Sequence, residues 1–267
     1  CPGMASTIHG SYITIDGGVN GERRLMFANW YNATNKNVGR AIFSGAVVSN
    51  TISSCTFSNV GGAIYQGGSR KSIINNCWIQ ARGDACITLV SVASPPDYWD
   101  SHLVYSNTFR IMWNRTQGGP DGIQAVDGLT AFHNRFELVP TEEPTSGQHP
   151  DYLQCNGRWV KMFGNEVVNI GDSGFSPSPW APGQAIEDIR IYNNIFRITE
   201  QYDPWPQYIR MYNNSGLGYF KNVYIVNNLF LDRTNATQAV FFGKEIGDNP
   251  GTNNVFANNI FVNVGGP

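Results

Sequence analysis

The sequence predicts an all-β protein, a single parallel β-helix of about eight or nine coils with an internal asparagine ladder. Three observations predict it: one segment recurs along the chain, its apolar positions alternate by two, and asparagine is abundant where charge is scarce. The segment is an apolar alternating run, then Asn or Cys, then any residue, then a large apolar residue. It reads TISSCTF at 51–57, IINNCWI at 73–79, LVYSNTF at 103–109 and LTAFHNRF at 129–136. It continues as VKMFGNEV at 160–167, IRIYNNIF at 189–196, VYIVNNLF at 223–230 and VFANNIF at 255–261. A helical or leucine-rich repeat would show the helical period, whereas alternation by two requires strands. Short strands returning once per repeat, joined by loops of varying length, describe a chain that stacks on itself.

Each element of that reading has a physical reason. Aligned on the polar position, one column reads Cys55, Cys77, Asn107, Asn134, Asn165, Asn194, Asn228 and Asn259. Two residues later a second reads Phe57, Ile79, Phe109, Phe136, Val167, Phe196, Phe230 and Phe261. Coils stacked about 4.8 Å apart place like residue above like. A buried Asn amide can then bond the next amide and the turn backbone, so the Asn column is read as structural and not as a catalytic set. The Phe column stacks rings along the core. Cys55 and Cys77 share a column but project in parallel, so stacked thiols are expected there. Cys86 and Cys155 read as small core residues.

Composition bounds the rest. The 267 residues suit one domain, with 1–44 as an N-terminal coil or cap region and 45–265 as regular coils. Hydrophobic content of 41% excludes a disordered chain, and no apolar run approaches the ~20 residues of a transmembrane helix. A net charge of −2 with scattered Lys and Arg excludes a general nucleic-acid binder. Without an initiator Met or a leader, the chain is expected to be a processed or cut form. Its open coil ends call for neighbouring subunits or further domains to cover them.

With these repeats in view, the chain resembles the right-handed parallel β-helix superfamily that contains pectate lyases, polygalacturonases, alginate-acting enzymes and phage tailspikes. The resemblance covers roughly residues 45–265, with the ITIDGG stretch at 13–18. It implies a right-handed solenoid and an extracellular protein that acts on, or binds, a polysaccharide or glycan receptor.

A second register aligns GAIYQ (62–66), DACIT (84–88), DGIQA (121–125), DYLQC (151–155), QAIED (184–188), QYIRM (207–211) and QAVFF (238–242). Its third position is apolar in nearly every copy and should point inward. The fourth should point to solvent, and carries Gln124, Gln154, Glu187 and Arg210. The first position reads Gly62, Asp84, Asp121, Asp151, Gln184, Gln207 and Gln238. Three carboxylates would then stack at roughly 5 Å intervals. Like charges that close call for a cation, a shared proton or local donors, and calcium on Asp84, Asp121 and Asp151 would satisfy them. The plainer alternative is that each Asp caps a turn after Gly83, Pro120 or Pro150.

Lyase chemistry on an acidic, uronate-containing polysaccharide needs the carboxylate neutralised and the neighbouring proton removed. The cation and Arg210 would do the first. The second would fall to His149, two residues before Asp151, or to Lys161, at an outward position of a strand in the other register, with Asp151 in the catalytic set. A lone His is also a common structural residue. Gln124, Gln154 and Glu187 would bind sugar hydroxyls, and Trp113, Trp180 and Trp205 in the long loops would stack on sugar rings or simply cover the core edge. A glycoside hydrolase is the alternative, pairing Asp84 with Asp151 or Asp151 with Glu187. GDAC at 83–86 is similar to the Gly-Asp-Asp-Cys stretch of polygalacturonases, but Ala85 replaces the second Asp and that family's other motifs are missing. A non-catalytic adhesin, tailspike segment or filament subunit is the third reading.

Overall fold

The computed structural model describes residues 6–8, 10–19, 22–31, 40–91, 102–146, 149–179, 184–200, 207–211, 218–233, 238–242 and 252–264. Among them there is no helix, and so none long and apolar enough to cross a membrane. The strands form three parallel sheets of nine strands each, with one small antiparallel pair, Gly18–Val19 with Glu22–Arg23. Sheet one runs from Ser6–Ile8 to Gln238–Phe242, sheet two from Thr14–Asp16 to Val255–Ala257, and sheet three from Leu25–Trp30 to Ile260–Val262. The chain visits sheets two, three and one in rotation, and each strand pairs in parallel with its counterpart one repeat on. Leu129–Phe132, for example, lies between His102–Tyr105 and Val160–Phe163 in unbroken register. This strand order is compatible with a β-helix solenoid.

The turn from sheet two to sheet three explains the Asn-Asn pairs. The residue before each ladder position is in the left-handed region: Ser54, Asn76, Ser106, His133, Gly164, Asn193, Asn227 and Asn258 all have φ between 50° and 62°. Asn tolerates that conformation better than most residues with a Cβ, so the first Asn of a pair bends the chain. The second turns inward and forms the ladder. The Asn107 amide N–H donates to Asn134 Oδ1 at 3.0 Å, Asn134 to Asn165 at 2.9 Å, Asn165 to Asn194 at 3.0 Å and Asn194 to Asn228 at 3.0 Å. Each Nδ2 donates in turn to a sheet-two carbonyl of the preceding repeat, as Asn165 does to Ala131 at 3.0 Å. Buried amides that would otherwise lack partners are thereby satisfied.

Next to the ladder, Phe109 and Phe136 stack with centroids 4.6 Å apart, and Phe196, Phe230 and Phe261 continue at 5.0 and 4.9 Å. An aromatic row that the sequence reading missed lies outside. Tyr105, Phe132, Phe163 and Tyr192, partly exposed on sheet two, stack face to face at 4.8, 5.1 and 5.0 Å. Each ring covers its neighbour's face and leaves its edge to solvent. Cys55, Cys77, Cys86 and Cys155 are buried free thiols.

Candidate functional site

Sheet one carries the titratable cluster, and its register differs from the sequence alignment in two places. Ile87 pairs with both Ile64 and Ile123, so Ala85, not Asp84, sits beside Asp121. Asp84 falls one residue before the strand and is bound by Arg40 Nη2 at 2.9 Å. The alignment slipped because buried Cys86 satisfies an inward position as well as Ile87 does. The second difference follows Asp151–Cys155, whose next neighbour is Ser173–Pro177. Ala185–Tyr192, which contains Glu187, belongs to sheet two. SGFSP at 173–177 has one large apolar residue and no alternation, so nothing in it signals a strand.

The first-position column therefore runs Ala85, Asp121, Asp151, Ser173, Gln207 and Gln238. Two carboxylates are adjacent, not three. In Asp151–Cys155 both Tyr152 and Leu153 face the core, and this pair of inward residues swings positions one and four to the same outer side. Asp121 Oδ2 accordingly accepts from Gln124 Nε2 at 2.7 Å, and Gln124 lies 3.3 Å from Gln154 Oε1. Asp121 Oδ1 accepts from the Asp151 amide at 2.8 Å, in place of a backbone carbonyl. Ser173 Oγ donates to Asp151 Oδ1.

Both carboxylates are buried, Asp121 with 2% and Asp151 with 0% of its surface exposed. Burial, and then the neighbouring Asp151 charge, push the Asp121 carboxyl well above its ordinary range. His149, two residues before Asp151, turns back over the pair. Its Nδ1 lies 3.2 Å from Asp151 Oδ2 and 3.6 Å from Asp172 Oδ2, and its side chain is 51% exposed. The Asp151 contact first, then the charges of Asp151, Asp172 and Asp121, raise the imidazole to about 9 against the cost of its partial burial. Arg210 Nη1 pairs with Asp172. Gly171 sets Asp172 in place: a Cβ there would come within 2.3 Å of Pro150 Cγ, so only glycine lets the two turns nest.

Asp121, His149 and Asp151 each offer a donor atom within 4.8 Å of the others and could close on a divalent ion. That set differs from the three carboxylates expected for calcium. An imidazole nitrogen with two carboxylates suits a first-row transition ion better than a cation that takes six to eight oxygens.

Of the other expected site residues, Gln124, Gln154 and Arg210 share this outer face of sheet one. Lys161 does not. It lies on sheet two between Thr130 and Arg190. Glu187, also on sheet two, faces Arg158 Nη1 at 3.6 Å and Lys221 Nζ at 3.9 Å. Trp113 ends the strand Thr108–Trp113 and is 6% exposed within the core, so it presents no ring face to a sugar. Trp180 and Trp205 lie outside the described residues. Asp172 and Ser173 are not among the residues the sequence singles out, since 171–183 reads there as a loop insertion whereas Ser173–Pro177 is a strand. Gly171-Asp172 nevertheless repeats the Gly83-Asp84 pattern before a sheet-one strand. Comparison with family models, with curated proteins and with solved structures finds no match to this chain.

Proposed function

We propose that the chain is a right-handed parallel β-helix that works outside the cell and cleaves an acidic, uronate-containing polysaccharide by β-elimination. The observation that supports the reading is the half-exposed His149 side chain, whose Nδ1 lies 3.2 Å from Asp151 Oδ2 and 3.6 Å from the Asp172 Oδ2 that Arg210 also pairs with. With Nδ1 turned toward the two carboxylates, Nε2 is the atom left for proton transfer. Neutral His149 takes the proton from the carbon next to the uronate carboxylate. The C–H electrons form the new double bond, and the glycosidic C–O bond breaks toward the leaving sugar. The imidazolium so formed is stabilised by the two carboxylates and can return its proton to the departing oxygen. Arg210, bonded to Asp172 through Nη1, supplies the cation that lowers the barrier to enolate formation. The amides of Gln124 and Gln154 serve sugar hydroxyls.

Burial weighs against the hydrolase reading. A glycosidase carboxyl must reach the glycosidic oxygen, and Asp121 and Asp151 are sealed from it. Neither Asp84 with Asp151 nor Asp151 with Glu187 is brought together. The test is to incubate the chain with polygalacturonate, alginate and glycosaminoglycans and follow ultraviolet absorbance from unsaturated uronate. Product from wild type that is lost in His149→Ala supports the proposal. New reducing ends without absorbance identify a hydrolase, and binding without product identifies an adhesin; either overturns it.

A further inference from the structure

The protein interior also contains a group of polar side chains with atoms that no described residue satisfies. Two inward columns flank the turn from sheet one to sheet two. The sheet-one column reads Ser44, Gln66, Leu89, Ala125 and Cys155, and the sheet-two column reads Ser72, His102, Leu129, Val160 and Ile189. Asn50 precedes Ser72 in the second column, since its carbonyl accepts from the Ile73 amide at 2.8 Å. Later repeats are apolar in both columns and join the core. The first two, Ser44 with Asn50 and Gln66 with Ser72, are polar in both, and the third is polar at His102 but carries Leu89 in sheet one.

All five polar residues, Ser44, Asn50, Gln66, Ser72 and His102, are sealed from solvent. Ser44 Oγ, Asn50 Nδ2, both Gln66 amide atoms, Ser72 Oγ and both His102 ring nitrogens have no hydrogen-bond partner among the described residues. A buried polar atom left so has given up its hydrogen bonds to bulk water with nothing in return, and seven together call for an occupant that restores them. They are also adjacent in register: Ser44 pairs with Gln66 across one strand boundary and Ser72 with His102 across another. Burial holds the His102 imidazole down to about 4, so every group in the set is neutral at ordinary pH.

We infer that this corner is a binding site for ordered water, with about two or three molecules bridging Ser44, Gln66, Ser72 and His102. The chemistry selects water. The groups mix donors with acceptors, carry no charge and are closed off, so the occupant must be small, neutral and able both to give and to accept.

A crystal structure at a resolution that shows solvent tests this directly. Density for waters within hydrogen-bond distance of the Gln66 amide and a His102 nitrogen is expected. A dry corner, side chains bonded directly to one another, or density for a larger solute would overturn the assignment. In solution, the ¹⁷O relaxation dispersion of water counts long-lived internal molecules. The Gln66→Leu/His102→Leu variant should lose the amplitude of about two or three molecules, and an unchanged amplitude would refute the site. If that variant does not fold, the wild-type density decides alone, with Ser44→Ala/Ser72→Ala as the milder comparison.

Discussion

His149 Nδ1 stands 3.2 Å from the fully buried Oδ2 of Asp151, so an exposed imidazole is tied to a carboxylate that solvent does not reach. The contact favours the imidazolium and is the main cause of the rise to about 9. If neutral His149 is the base, the rate must climb as that proton leaves. kcat/KM on a uronate polymer should rise through about pH 9 and level off above it. A profile that peaks near pH 6 and falls by pH 9 would assign the imidazole an acid role instead.

The same shift has a stability consequence of opposite sign. A folded-state value above the unfolded one means that the His149 contribution is fully present below about pH 6.5 and is lost as pH rises through about 9. Because the side chain is half exposed, the effect is no more than about 1 kcal/mol. Asp172→Asn removes one of the charges holding the proton. Its alkaline limb should move to lower pH, by up to one unit, with little change in melting temperature. NMR titration of the His149 ring measures the shift free of kinetics.

The ladder makes a sharper claim about stability. Asn165 Oδ1 accepts from the backbone and side chain of Asn134, while its Nδ2 donates to Ala131 O and to Asn194 Oδ1. Asn165→Ala leaves the buried Asn134 amide N–H without its acceptor and takes one donor from Ala131 O and from Asn194 Oδ1, on the repeats to either side. A loss of roughly 3–5 kcal/mol in denaturant unfolding is expected, well beyond a surface substitution. Asn193, next to the ladder at φ 56° and exposed, should behave differently: Asn193→Gly is neutral or slightly stabilising, and Asn193→Val costs about 1–2 kcal/mol.

That contrast shows what the sequence makes legible. One residue type recurring at one place, as in Asn107 to Asn259, declares a buried column, because no other side chain bonds so well to a copy of itself one repeat away. The first Asn of each pair was just as visible, but its role is a backbone angle, which composition does not reveal. In sheet one the signal fails for physical reasons. Cys86 is as apolar as Ile87, so a one-residue slip passes unnoticed and places Asp84 beside Asp121. Ser173–Pro177 is held by its neighbours and not by its own alternation, so QAIED takes its place in the alignment. Asp172 lies before its strand in a Gly-Asp-Ser stretch that reads as an ordinary turn. His149 could be noted by type, but its tie to a buried carboxylate depends on the turn nested between Pro150 and Gly171.

Asp121 offers the last prediction, because its ionisation opposes folding. Its carboxyl is raised above the unfolded value, chiefly by burial and then by Asp151. An acid shifted upward stabilises the fold only while protonated, so stability falls as pH rises from about 4 through the elevated folded value. Asp121→Asn removes that dependence. The Asn oxygen can still accept from the Asp151 amide, and Gln124 must turn its own oxygen toward the new NH₂. At pH 8 the variant should be at least as stable as wild type, and near pH 4 the two should converge. Thermal unfolding at both pH values measures the difference. A variant much less stable than wild type at pH 8 would show that the Asp121 carboxylate is held ionised by its two donors, and that they outweigh its burial.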